Sequence, residues 1–246
     1  MKRSLIVNAD DFGQSPGVNR GIVETHERGI VTSASLMVRW PGAEEAAVYA
    51  RTHPGLSVGL HFDLGERAYR DGAWVRLYEV VPADDPKAVA DEAVRQLAAF
   101  RRLLGRDPTH LDSHQHVHRK EPARSVLGGI ARELGIPLRH EAPHIRYRGD
   151  FYGQDAKGTP LPDTIGVEAL LRLLEGLPPG ITELGCHPGS GNDLEGMYRA
   201  ERGEEVRTLC DPRVRAALAA LRIELRSFQD SSAVSATAGG DGVEWT

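Results

Sequence analysis

The chain has 246 residues, enough to bury a large core and close to what one α/β barrel requires, so a string of several domains is disfavoured. Its 40% hydrophobic and 26% charged residues exclude collagen-like, coiled-coil and wholly disordered classes. With 30 Lys and Arg against 35 Asp and Glu, the net charge of -5 leaves no basic field for phosphates, and no nucleic-acid partner is expected.

A short apolar run at residues 5–7 leads into Asn8-Ala9-Asp10-Asp11 and predicts the first strand. Ser15 and Pro16 read as the cap and first residue of a helix that Gly29 stops. Residues 30–38 predict a second strand, an Ala-rich helix follows Pro41 to about His53, and residues 56–62 predict a third strand. Residues 63–81 read as a long aromatic loop. Asp85-Pro86 opens an amphipathic helix with Val89, Ala93, Leu97, Phe100 and Leu104 on one face and Gly105 at its end. Residues 109–113 predict a fourth strand, 122–134 a helix and 136–138 a short apolar run. The stretch 140–163 is a second long loop, rich in Gly, Pro and aromatics, of the kind that carries function. A helix over 167–177, a strand over 181–186, a helix from Asp211-Pro212 to near Leu221 and a strand over 223–228 complete a single domain at 1–228. Residues 229–246, mostly Ser, Ala, Gly and Asp, predict a flexible tail.

Strands alternating with helices predict a parallel sheet, and six or seven such units predict an α/β fold of the TIM-like (β/α) barrel class, closed or nearly closed. A doubly wound open sheet is the competing architecture. No G-x-G-x-x-G follows the first strand and no G-x-x-x-x-G-K-[ST] occurs, so nucleotide sites lack their signatures. Cys186 and Cys210 form no C-x-x-C pair, which fits a reducing compartment. The N-terminal apolar run is shorter than a secretion signal's and no stretch reaches about 20 apolar residues, so a cytoplasmic location without a membrane partner is expected.

Polar residues able to do chemistry collect at the carboxyl ends of separate strands: Asp10 and Asp11, His61, Asp112 with His114, His116 and His118, and His187. In parallel α/β folds this edge is where ligands bind and reactions occur. One carboxylate and two imidazoles make an open site for a divalent ion, with Zn, Mn, Co or Ni suited to mixed oxygen and nitrogen donors. Adjacent residues of an extended strand point to opposite sides, so one of Asp10 and Asp11 holds the ion while the other faces the reacting water. The same reasoning weakens a glycosidase, whose two carboxyls must flank one bond at roughly 5–9 Å. Histidines 114, 116 and 118 alternate and are expected on one face of an extended chain, which leaves open which imidazole binds. His110, at the start of its strand, reads as structural or exposed, and Cys186 as a small buried residue. Ser33 and Ser35 lack a G-x-S-x-G context, so a serine hydrolase has no support.

Leu5-Ile6-Val7-Asn8-Ala9-Asp10-Asp11-Phe12-Gly13, Gly59-Leu60-His61, the run from His110 through His118 and Cys186-His187-Pro188-Gly189 occur in one order over nearly the whole chain. Together they resemble the YdjC-like carbohydrate deacetylases, a family that includes diacetylchitobiose deacetylases and hopanoid-associated relatives. The resemblance implies a (β/α) barrel related to polysaccharide deacetylases, one divalent metal ion, commonly Mg, and removal of an N-acetyl group from an amino sugar or short oligosaccharide. Carried onto this sequence, it makes Asp11, His61 and His114 the metal ligands, Asp10 the base and His187 the acid. Asp112 would orient a ligand histidine, and His116 and His118 are further supporting or substrate contacts. Trp74, Tyr69, Tyr147 and Tyr152, in the long loops, are expected to stack on sugar faces. A homodimer is the assembly expected. Another metallohydrolase on a non-sugar substrate and a non-catalytic sugar-binding protein are the competing readings.

Overall fold

In the computed structural model, which describes residues 2–190 and 193–230, β1 (Arg3–Phe12) is buried from Ser4 onward and forms the middle of a parallel sheet. Helix α1 (Pro16–Glu27) starts as the sequence requires, with the Ser15 hydroxyl accepting the Val18 N–H and Pro16 in the first turn. There follow β2 (Ser33–Leu36), α2 (Ala43–Thr52) and β3 (Ser57–Phe62). The expected aromatic loop at 63–81 is instead an antiparallel hairpin, β4 (Gly65–Arg70) and β5 (Ala73–Glu79). Next come α3 (Pro86–Leu104), capped by Asp85 and ended by a left-handed Gly105, then β6 (Leu111–Ser113) and α4 (Ala123–Leu134). The second expected loop contains β7 (Ile145–Arg148) and a 3-10 turn at Pro162–Thr164. The chain continues through α5 (Val167–Glu175), β8 (Gly180–Cys186), α6 (Ala200–Leu209), α7 (Pro212–Ala220) and β9 (Ile223–Arg226). Helix α6 has no counterpart among the expected elements.

The sheet runs β6-β3-β2-β1-β8-β7 with every pair parallel, and β9 joins the first residues of β1. A parallel bridge from Leu111 to Leu138 adds one further rung beside β6. Read round the ring, β1, β2, β3, β6, the Leu138 rung, β7 and β8 follow chain order. That one-way progression is a barrel's, whereas a doubly wound sheet reverses at a switch point. Closure is incomplete, because among the described residues no ladder joins the Leu138 rung to β7.

The main core lies between sheet and helices and includes Val7, Phe12, Ile22, Leu60, Phe62, Phe100, Leu127 and Leu174. The expected tail from residue 231 on lies outside the described residues. Asp230 accepts the Ser227 N–H at 2.7 Å, which ties residues 227–230 together. Among the described residues no helix is long and apolar enough to cross a membrane.

Candidate metal and catalytic site

The site begins with an irregularity in β1. Ala9 pairs with Ala34 and Phe12 with Leu36, so Asp10 and Asp11 together face the single residue Ser35, and Asp11 takes a left-handed φ of 68°. Such a bulge re-aims side chains. Both carboxylates therefore line one cavity, and the expectation that they point apart fails because the strand is not regular where they sit.

His61 on β3 stands in register with Asp112 on β6. Its Nδ1 lies 2.8 Å from Asp112 Oδ1, and its Nε2 lies 3.3 Å from Asp11 Oδ1. His114 Nδ1 approaches the same Asp11 oxygen at 3.1 Å. Ligands about 2.0–2.2 Å from one ion stand roughly 3.0–3.6 Å apart, so both imidazole-to-Asp11 distances suit a shared ion, and ligand atoms of Asp11, His61 and His114 all lie within 4.8 Å of one another. Asp112 fixes the tautomer that turns Nε2 of His61 toward that point. Burial opposes charge on His61, but Asp112 and Asp11 overrule it and hold a proton on the ring up to about 10, the position a cation would take. Burial likewise opposes ionisation of Asp11, yet Arg202 and the two imidazoles keep it well below the usual carboxylate range. Arg202 on α6 donates to Asp11 Oδ2 at 2.6 Å, and Glu66 Oε2 stands 3.7 Å from His114 Nε2.

Asp10 is held by Arg139, which donates from its two Nη atoms at 2.7 and 2.8 Å. The same guanidinium reaches Asp112 at 2.8 Å and Glu183 at 2.6 Å. Burial would raise the Asp10 pKa, but Arg139 brings it below the ordinary value, so Asp10 rests as an anion. His187 Nε2 lies 3.8 Å from Asp10 Oδ2. Burial pushes His187 down to about 4, so the ring rests as neutral imidazole.

Behind His187, its backbone N–H donates to Glu205, which also accepts from Tyr198. Burial raises Glu205 to about 8. A carboxyl whose folded pKa exceeds its unfolded value stabilises most below the unfolded value and loses that contribution as pH rises through about 8. Glu205→Gln, which mimics the protonated group, is expected to flatten the fall in melting temperature between pH 5 and 9. Parallel thermal scans of both proteins check this, and identical slopes would remove Glu205 as the cause.

The histidine run does not stay extended. After Ser113 a 3-10 turn over His114–Arg119 carries Gln115 and His116 at φ 49° and 52°, which sends the three rings to different places. His114 reaches Asp11, His116 lines the cavity wall, and His118 is buried behind it with Nδ1 2.6 Å from Ser113 Oγ. His118 is not among the residues that line the cavity. His110 is structural and buried, not exposed: its ring stacks on Phe228 at 3.8 Å and occupies the space above Gly59, where a Cβ would stand 2.5 Å from it. Cys186 is buried, as expected. The cavity, about 590 Å³, is also lined by Trp74, Tyr147 and Tyr152, while Tyr69 is not among its lining residues and packs edge-on against Trp74 with Lys157 Nζ 5.7 Å from its ring centroid.

The YdjC-like protein family model matches residues 4–220. This chain belongs to the YdjC-like family. It is 32% identical over 253 residues to a chitooligosaccharide deacetylase of Serratia marcescens, covering 94% of this chain and 100% of that protein. A carbohydrate deacetylase of Geobacillus stearothermophilus is 33% identical, with 94% and 98% covered. Among solved structures, a candidate cellobiose-phosphate cleavage protein from Enterococcus faecalis superposes with a TM-score of 0.76 at 26% identity, over 94% of this chain and 99% of that one. A family 4 carbohydrate esterase from Streptomyces lividans shares the fold at a TM-score of 0.57 and 12% identity, over 92% and 94%.

Proposed function

We propose that this YdjC-like chain is a metal-dependent carbohydrate N-deacetylase acting on an acetylated amino sugar or short oligosaccharide. The reading rests on one observation: Asp11 on β1, His61 on β3 and His114 in the turn after β6 come together in a cavity with Asp10 and His187 beside them. The names of the Serratia and Geobacillus relatives support the sugar substrate.

Asp11, His61 and His114 would hold the ion, which when bound polarises an amide carbonyl and acidifies water. Two of the three donors are imidazoles, which favours Zn, Mn, Co or Ni over Mg. Asp10, anionic beside Arg139, accepts the proton of the attacking water. Hydroxide adds to the acetyl carbon and the C–N bond breaks, which needs a proton at nitrogen because an amide anion leaves poorly. Neutral His187, 3.8 Å from Asp10, carries that proton onward to the departing amine. The products are acetate and the free amino sugar.

Trp74, half exposed on the hairpin and lining the cavity, offers a face to the sugar ring. Trp74→Ala is expected to raise KM about tenfold, with kcat within about threefold. Trp74→Phe should restore most of the difference, and steady-state kinetics on both variants would tell.

The deciding experiment measures amine release from N-acetylglucosamine and diacetylchitobiose by metal-stripped protein, with Mg, Zn, Mn or Co restored singly. Turnover only after metal addition is the expected result. Folded, metal-binding protein that releases no amine with any ion would transfer the assignment to a non-sugar acyl substrate.

A further inference from the structure

Outside the catalytic centre, the described residues hold a second group of convergent donors. His116, His118 and His140 place one ring nitrogen each within 4.8 Å of one another. His118 is only 1% exposed, and its Nε2 has no hydrogen-bond partner. His116 Nδ1 is likewise buried and unpartnered. Two orphaned ring nitrogens on rings 5.7 Å apart are costly unless something binds them.

The surroundings support a ligand rather than mere ring packing. Ser113 Oγ engages His118 Nδ1 at 2.6 Å, which is the supporting contact that leaves Nε2 as the free donor atom. His140 sits exposed at a left-handed φ of 67°, directly after buried Arg139, with its ring centroid 5.6 Å from each of the other two. The neighbouring positive charge of Arg139 is already met by Asp10, Asp112 and Glu183.

We propose that His116, His118 and His140 form a second metal site, made of imidazole alone and selective for Zn-type transition ions over Mg. Three histidines with an open fourth position suit zinc, whereas Mg requires oxygen donors. Because His116 lines the active-site cavity, an ion held there stands at the cavity wall. This inference is independent of the deacetylase reading, since it concerns different ligands and is read without turnover.

The test is metal stoichiometry on the full chain. Equilibrium dialysis against Zn is expected to give two equivalents in the wild type, and dialysis against Mg no more than one. Asp11→Asn should weaken one zinc and keep the other. His140→Gln, at an exposed position, should keep the catalytic zinc and weaken the second beyond the roughly 10–100-fold cost of losing a supporting contact. Co in place of Zn should give visible d–d bands from two environments, one of which disappears in His140→Gln and in His116→Gln. One equivalent of zinc in the wild type, or a second equivalent that survives both histidine variants with unchanged affinity, would overturn the proposal.

Discussion

Arg139→Met is expected to lower stability by about 3–5 kcal/mol, because it leaves Asp10, Asp112 and Glu183 buried without their shared cation. At roughly 2–4 °C per kcal/mol for a chain of this size, the melting temperature should fall by roughly 6–20 °C. The variant also removes what keeps Asp10 ionised. The Asp10 pKa should rise above the wild-type value, so the acid limb of any activity profile moves to higher pH. Thermal unfolding and a pH–rate profile check both halves. A loss below about 1 kcal/mol would mean that the three carboxyls take up protons instead of depending on the guanidinium.

Asp10→Asn should preserve shape and metal binding yet lower kcat by about 10²–10⁴-fold, the range for losing a general base. Asp11→Asn should instead weaken binding of the ion in the catalytic site. Calorimetric metal titration beside kcat at saturating metal separates the two. If metal affinity fell together with kcat in Asp10→Asn, Asp10 would be a ligand and the proposed division of labour between the adjacent carboxylates would be wrong.

Much of this site was legible because strand ends are marked by where apolar runs stop. Asp10, Asp11, His61, Asp112, His114 and His187 all fall at such stops, and the fold carries them to one cavity or its edge. Other features were hidden for identifiable reasons. The bulge at Asp10-Asp11 depends on the backbone of the neighbouring strand, which no local pattern reveals. Arg139 follows a rung only one bridge long, too short to read as a strand. Arg202 and Glu205 lie on α6, whose buried residues are Glu201, Arg202, Glu205, Val206, Thr208 and Leu209, so apolar periodicity has only Val206 and Leu209 to detect. Two signals were present but outweighed. Asp71-Gly72, with φ 51° and 85° between paired Arg70 and Ala73, is the two-residue hairpin turn that the aromatic-loop reading overlooked. Glu183, inside a strand that reads as buried, required a countercharge, and Arg139 supplies it.

The rung at Leu138 has one more consequence. It is joined to β6 by the Leu111 N–H to the Pro137 carbonyl and the Arg139 N–H to the Leu111 carbonyl, each at 2.9 Å, and by no longer ladder. The charge that organises the reaction centre thus hangs from a segment held by one bridge to β6 and, among the described residues, by no ladder to β7. A loosening there would reach Asp10 before it reached the bulk of the core, so heat inactivation should precede unfolding. Efforts to make a hardier catalyst belong at this seam rather than in the already buried interior.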